Sequence, residues 1–209
     1  MQSEIEILTP PFENKHPKIL ALRCPVKPFN FEEVVLARID EVSTFVVQKR
    51  RDEHLTGRWL LAQALSKWGI SPDEIEVRRN QYRAPSLAFI HGIWKNTGLP
   101  SISIGHSDGW AYIALIENGW TIGIDGENKE RRIAENAFDM MASGEELDNL
   151  RANPELAIQT WTAKESVQKA MRLGMNFNPR KIEFPIGVAK FNFSIENSNF
   201  QLGSWTHKD

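Results

Sequence analysis

The chain has 209 residues, 41% of them hydrophobic and 25% charged, with a net charge of −2 and one cysteine. That length supports one substantial core or two small ones. The near-neutral charge excludes a general attraction to nucleic acid or an acidic membrane surface. With Cys24 alone there is no intrachain disulfide and no cysteine-based metal cage, which fits a reducing compartment. The amino terminus, Met1-Gln2-Ser3-Glu4, lacks the basic start and apolar core of a signal peptide. No apolar run reaches the ~20 residues that span a bilayer, so a soluble, cytoplasmic protein is the expectation.

Glu4 to Leu8 alternates weakly as a strand, and Lys18 to Val26 reads as a second strand stopped by Pro25. Asn30 to Val42 opens with a capping asparagine and Glu32-Glu33, predicting a short helix. From Thr44 to Trp68, apolar residues including Leu55, Trp59, Leu60 and Leu65 recur at helical spacing, and Gly69 ends the pattern. On this helix Arg51 and Arg58 lie two turns apart on one face. They could hold separated phosphates or form an ordinary solvated face. Gly57, at up to about 1 kcal/mol relative to alanine, suggests that something approaches closely there.

Ile75 to Arg79 alternates as a strand, and Tyr82-Arg83-Ala84-Pro85 makes a basic turn. Ser101 to Gly109 reads as a strand opening into a polar loop with His106, and Trp110 to Ile116 as its return. After a turn at Asn118-Gly119, Thr121-Ile122-Gly123-Ile124-Asp125-Gly126-Glu127 reads as a buried strand running out into two carboxylates. Alternation puts Asp125 and Glu127 on one side and Gly126 on the other. A basic link from Lys129 to Arg132 leads to helical patterns at Ile133 to Met141 and from Ser143. Pro154 opens a further helix, which carries Trp161, Glu165 and Lys169 along one face and closes at Gly174. The tail alternates over Lys181 to Phe184, Val188 to Ile195 and Phe200 to Trp205, as two or three strands.

If the face of that helix meets the end of the carboxylate strand, Glu165 joins Asp125 and Glu127. At about 5 Å and an effective dielectric of ~20, each ionised pair repels by roughly 3 kcal/mol. Such a group protonates, spreads apart or binds a cation, and its oxygens suit a hard ion such as Mg²⁺, which often shares its shell with phosphates. The other reading is that Asp125 and Glu127 are solvated strand-end charges and Glu165 with Lys169 an ordinary helical pair. Trp161 is assigned to packing. Each half carries strands around one long helix, which predicts an α+β fold of two similar lobes, 1–117 and 118–209. Each lobe is a small, mostly antiparallel sheet packed on a long helix, the second carrying the metal site. No Gly-rich phosphate loop, His-Glu-x-x-His helix or nucleophile elbow is present.

Gly123-Ile124-Asp125-Gly126-Glu127, followed by Trp161-Thr162-Ala163-Lys164-Glu165-Ser166-Val167-Gln168-Lys169-Ala170, resembles the 4′-phosphopantetheinyl transferases. The likeness is to the longer, two-lobed type that activates nonribosomal peptide, polyketide and fatty-acid synthases. Arg51 to Arg58, Arg83-Ala84-Pro85 and Ile104-Gly105-His106-Ser107 also lie where that family keeps basic coenzyme A contacts. The resemblance implies a pseudo-twofold pair of lobes with coenzyme A in the cleft between them. By the same resemblance Asp125, Glu127 and Glu165 hold Mg²⁺ against the pyrophosphate. Arg51, Arg58, Arg83 and His106 contact phosphates, with Lys164 and Lys169 nearer the reacting centre. The implied reaction transfers 4′-phosphopantetheine to a serine of an apo acyl or peptidyl carrier protein and releases 3′,5′-ADP. Glu165 is the candidate base and Lys169 the group that steadies the leaving charge. The alternative is a non-catalytic relative that binds coenzyme A or the carrier as a regulator. Phe138 to Leu150 is the expected carrier-docking segment, and a monomer is expected. Gly126 stands where the family has an apolar residue facing the core, which predicts a loosened strand.

Overall fold

The structure, a computed structural model, describes residues 5–9, 17–93, 95, 97–183, 190–195 and 198–203. The chain runs β1 (Glu6–Leu8), β2 (Ile19–Pro25), α1 (Ile39–Val42), α2 (Gln48–Trp68), β3 (Ile75–Arg79), β4 (Pro85–Phe89), β5 (Ser101–Ser107) and β6 (Trp110–Ile116). It continues through α3 (Phe138–Met141), α4 (Gly144–Ala152), α5 (Ala157–Met171), β7 (Lys190–Ile195) and β8 (Ser198–Gly203). Helices and antiparallel sheets are thus mixed, as the alternating patterns predict.

Four strands form one antiparallel sheet in the order β1-β2-β6-β5. Asp108 and Gly109, at φ 48° and 82°, make the two-residue hairpin between β5 and β6 that an Asp-Gly pair favours. Ala111, Ile113 and Leu115 of β6 point to one face, where Leu22, Cys24 and Ile102 join them under Leu60, Leu61 and Leu65 of α2. Gly69, at φ 94°, caps α2 by donating to the carbonyls of Leu65 and Ser66. What approaches Gly57 is β5: a Cβ there would stand 3.4 Å from Ile104 Cγ2. Tyr112 and Ala114 point to the other face and pack with Leu8, Ala21, Ile122 and Ile124.

In the second half α5 is the organising helix. Trp161 packs on Phe138, Met141, Leu150 and Ala157, the packing role expected of it. Farther along, Val167 meets Phe177, Ile182 and Leu202. Lys164, fully buried, donates from Nζ to the Met141 carbonyl at 2.7 Å, to Glu146 Oε2 at 2.6 Å and to the Pro179 carbonyl at 3.0 Å. Burial pushes its ammonium pKa down, and Glu146 opposes that. One side chain thereby ties α5 to α3, α4 and the turn that follows.

Several local expectations are corrected. Asn30 to Val42 splits into a 3₁₀ turn at Phe31–Glu33, closed by the Asn30 N–H donating to Glu33 Oε2 at 2.7 Å, and the short α1. The strand β4 pairs with β3, though its uniformly half-buried residues leave no alternation to read. Pro179–Lys181 is a 3₁₀ turn instead of a strand start, and Phe184 lies outside the described residues, as do Val188 and Trp205. Arg172, at φ 62°, caps α5, and Gly174 begins the next turn. In the expected docking segment Phe138, Met141 and Leu150 are buried, while Met140 is exposed. Among the described residues no helix is long and apolar enough to cross a membrane.

Candidate functional site

The segment from Thr121 to Glu127 is extended but joins no strand ladder among the described residues, contrary to its reading as a strand. It lies across the face of β5, so side chains take up its polar groups where an edge strand would use backbone. Ser101 Oγ donates to the Trp120 carbonyl at 2.6 Å, and Ser103 Oγ accepts from the Ile124 N–H at 3.1 Å. Ser107 Oγ donates to Glu127 Oε2 at 2.7 Å. Ser101, Ser103, Gly105 and Ser107 share one face of β5, and their small size admits the crossing segment. A Cβ at Gly105 would stand 3.2 Å from the Ile124 carbonyl oxygen.

The period-two alternation survives without the ladder. Ile122 and Ile124 turn to the sheet, while Gly123 lies against α5, where a Cβ would come within 1.7 Å of the Ser166 carbonyl oxygen. Asp125 therefore also faces α5, and Gly126 faces the sheet. The expectation of loosened packing at Gly126 fails, because the Tyr112 ring fills the space that a side chain would take.

Lys169 Nζ donates to Asp125 Oδ1 at 2.5 Å and to the Ile124 carbonyl at 3.1 Å. Arg131 Nη1 donates to Glu127 Oε2 at 2.8 Å. Burial pushes the Asp125 carboxyl pKa up, with Lys169 pulling it back and Glu127 adding to the rise. Glu165 is likewise raised by burial, then by Asp125 and Glu127, with Lys169 opposing. Asp125, Glu127, Glu165 and Lys169 thus form one electrostatic group.

Of the other residues singled out, His106 faces α2, its Nδ1 lying 3.7 Å from Glu53 Oε2. Burial pushes its imidazole pKa down, and Glu53 opposes this. Arg58 is 2% exposed and donates to Glu41 Oε2 at 2.8 Å, while Arg79 donates to Glu41 Oε1 at 2.8 Å. Beside them burial and Arg58 push His54 down to about 4. Arg51 lines a shallow pocket of about 400 Å³ with Phe29, Asn30, Glu33 and Gln48. Arg83, exposed and at φ 65°, tops the β3–β4 turn. That turn meets the end of α5, where Asn80 Nδ2 donates to the Arg172 carbonyl at 3.1 Å. Arg58 and Lys164 pair instead with Glu41 and Glu146. Sequence reasoning missed Ser107, Tyr112 and Arg131 as neighbours of the site. The serine spacing of β5 and the four-residue step from Glu127 to Arg131 were the available signals.

The donor set fits a hard divalent cation in its chemistry. All the acidic donors are oxygens, and among the described residues Asp125 Oδ2 is buried without a hydrogen-bond partner. It is not a preformed cage: among the described residues no three His, Cys, Asp or Glu stand close enough to enclose an ion. Lys169 and Arg131 balance the charge of Asp125 and Glu127 as they stand.

Comparison with protein families matches residues 121–208 to the 4′-phosphopantetheinyl transferase superfamily, the family that the motifs resemble. The matched stretch contains Asp125, Glu127, Glu165 and Lys169. Comparison with curated proteins gives no match.

Proposed function

From the superfamily signature over residues 121–208, we propose that the protein transfers 4′-phosphopantetheine from coenzyme A to a serine of an apo acyl or peptidyl carrier protein, releasing 3′,5′-ADP. Phosphopantetheine transfer is the superfamily's general chemistry; the donor, the Mg²⁺ requirement and the acceptor are our reading of these residues. The observation that carries it is the group of Asp125, Glu127, Glu165 and Lys169, which lies inside the matched residues and is held by contacts to β5 and from α5.

Asp125, Glu127 and Glu165 would hold Mg²⁺, which would supply charge neutralisation at the diphosphate of the donor. Glu165, directly or through a water, accepts the proton of the serine hydroxyl. The serine oxygen bonds to phosphorus as the bond from phosphorus to the bridging diphosphate oxygen breaks, and the electron pair leaves with 3′,5′-ADP. Lys169 Nζ, already oriented by Asp125 and the Ile124 carbonyl, donates to the oxygen on which that charge grows. His106, Arg51 and Arg83 meet the remaining phosphates. Arg58 and Lys164 act through Glu41 and Glu146 as supports of the frame.

Residues 1–117 and 118–209 are read as two lobes around α2 and α5, with the donor between them. The Asn80–Arg172 hydrogen bond between the halves supports that reading. One chain then holds the whole cleft and acts as a monomer. The test is thermal unfolding with Mg²⁺ and either coenzyme A or ATP. Coenzyme A at about a hundredfold excess over its Kd raises the midpoint by roughly 5 °C, and ATP leaves it unmoved. An equal response to ATP contradicts the proposal. Turnover separates a transferase from a regulator that only binds.

A further inference from the structure

Gly126 lies between the two carboxylates, and the space of its missing side chain belongs to Tyr112. A Cβ at Gly126 would stand 2.7 Å from Tyr112 Cζ, 3.0 Å from Cε2 and 3.0 Å from the phenol oxygen. The base of this ring is fixed by pairing on both sides, since Tyr112 stands opposite Arg23 of β2 and Gly105 of β5. On the same face Arg23 donates to Glu6 Oε2 at 2.9 Å and lies 4.1 Å above the Trp110 ring, its charge bearing on the Tyr112 phenol. Across the segment, Gly123 rests on the backbone of α5. The peptide that carries Asp125 and Glu127 is clamped between a ring and a helix, with glycines at both contacts.

We propose that Tyr112 is a positioning residue for the Asp125–Glu127 pair, its ring setting the direction of both carboxylates through Gly126 and so the affinity of the site for a divalent cation. This rests on the reading of those carboxylates as cation ligands. Tyr112 itself touches neither cation nor substrate. It fixes the backbone between two ligands, as a hydrogen bond to a ligand does in other metal sites.

The test titrates Mn²⁺ into the full chain, following free Mn²⁺ by electron paramagnetic resonance well below each variant's unfolding midpoint. Tyr112→Ala weakens Mn²⁺ binding about tenfold, the scale of losing a supporting residue around a metal. Tyr112→Phe keeps the ring volume and stays within about twofold. Gly126→Val pushes against the ring and also weakens binding. The double variant Tyr112→Ala/Gly126→Val recovers to within about threefold of wild type, a coupling that independent losses do not give. A tyrosine that only filled the core would lower the unfolding midpoint and leave the Mn²⁺ affinity of the folded protein unchanged, and that result overturns the proposal. So does a Tyr112→Phe variant as weak as Tyr112→Ala, a double variant showing the summed loss, or a wild type that binds no Mn²⁺. If Tyr112→Ala does not fold, Gly126→Val decides, and an unchanged affinity there overturns the proposal. A wild type that binds Mn²⁺ but modifies no carrier refutes the transferase reading alone. One that transfers normally while Tyr112→Ala matches it refutes the positioning alone.

Discussion

Glu165 shows how the site is tuned one group at a time. Burial, then the charges of Asp125 and Glu127, raise its folded pKa above the unfolded value, so the folded chain holds more protons in the carboxylate range. The stability this contributes is full below the unfolded pKa and is lost as pH rises through the folded one. A divalent cation favours the charged form and acts in the opposite sense. Without metal, wild type therefore loses stability relative to Glu165→Gln as pH rises above the ordinary glutamate pKa of about 4, followed by urea unfolding. Added Mg²⁺ raises the wild-type midpoint more near pH 7 than near pH 5 and does little for the variant. Equal pH slopes for the two proteins contradict the assignment. His54 works the other way: its folded pKa of about 4 lies below the ordinary histidine value of ~6.5. Stability is lost as pH falls through that window, and His54→Phe flattens the slope measured there. At this scale the sequence already placed Asp125 and Glu127 together, because alternation needs only two residues. Helical period also put Lys164 on the buried stripe of Thr160, Val167 and Gln168, a signal outweighed by its place in the motif beside Glu165. The Tyr112–Gly126 contact was not legible, since nothing local links residues from different elements.

At the scale of elements, the site depends on how one extended segment is pinned between β5 and α5. Two glycines, Gly123 of the carboxylate segment and Gly57 of α2, behave differently. At Gly123 a new methyl would meet the α5 backbone at 1.7 Å, so Gly123→Ala forces apart the segment and the helix. It costs about 3 kcal/mol or more by urea unfolding and lowers transfer. At Gly57 the 3.4 Å approach of Ile104 leaves room, and Gly57→Ala shifts stability by no more than about 1 kcal/mol with coenzyme A binding unchanged. A reversed order of the two variants contradicts the packing described. Lys164→Ala removes the ammonium from the buried Glu146 and costs about 3–5 kcal/mol. The KM for coenzyme A, corrected for the folded fraction, stays as in wild type. A stable Lys164→Ala protein with a raised KM would instead return Lys164 to the donor site. The long helices, β5 and β6 were legible because their patterns are long and their stops are Gly69 and Asp108-Gly109. The carboxylate segment has the alternation of a strand because both of its faces are covered. Its lack of ladder partners among the described residues follows from the small residues of β5, which bring it over a face and away from an edge.

For the molecule as a whole, the division of labour is set by chain order. The first half builds the four-stranded sheet and α2, and residues 121–208 carry both the family signature and the carboxylate group. The two contribute to one site through short-range contacts: Ser107 to Glu127, Ser103 to Ile124 and Asn80 to the end of α5. The order of the motifs was legible in the sequence itself, since Asp125, Glu127, Glu165 and Lys169 lie in two compact stretches. The burial of Arg58 with Glu41 was not, because the two are seventeen residues apart and joined only by the fold of α1 against α2. The most direct measurement is the mass of an apo carrier protein incubated with this protein, coenzyme A and Mg²⁺, beside a Glu165→Gln sample. The account predicts the mass gain of one phosphopantetheine, slowed about 100-fold or more in the variant. Bound coenzyme A with no mass gain on acyl or peptidyl carriers, or an undiminished rate in Glu165→Gln, contradicts it.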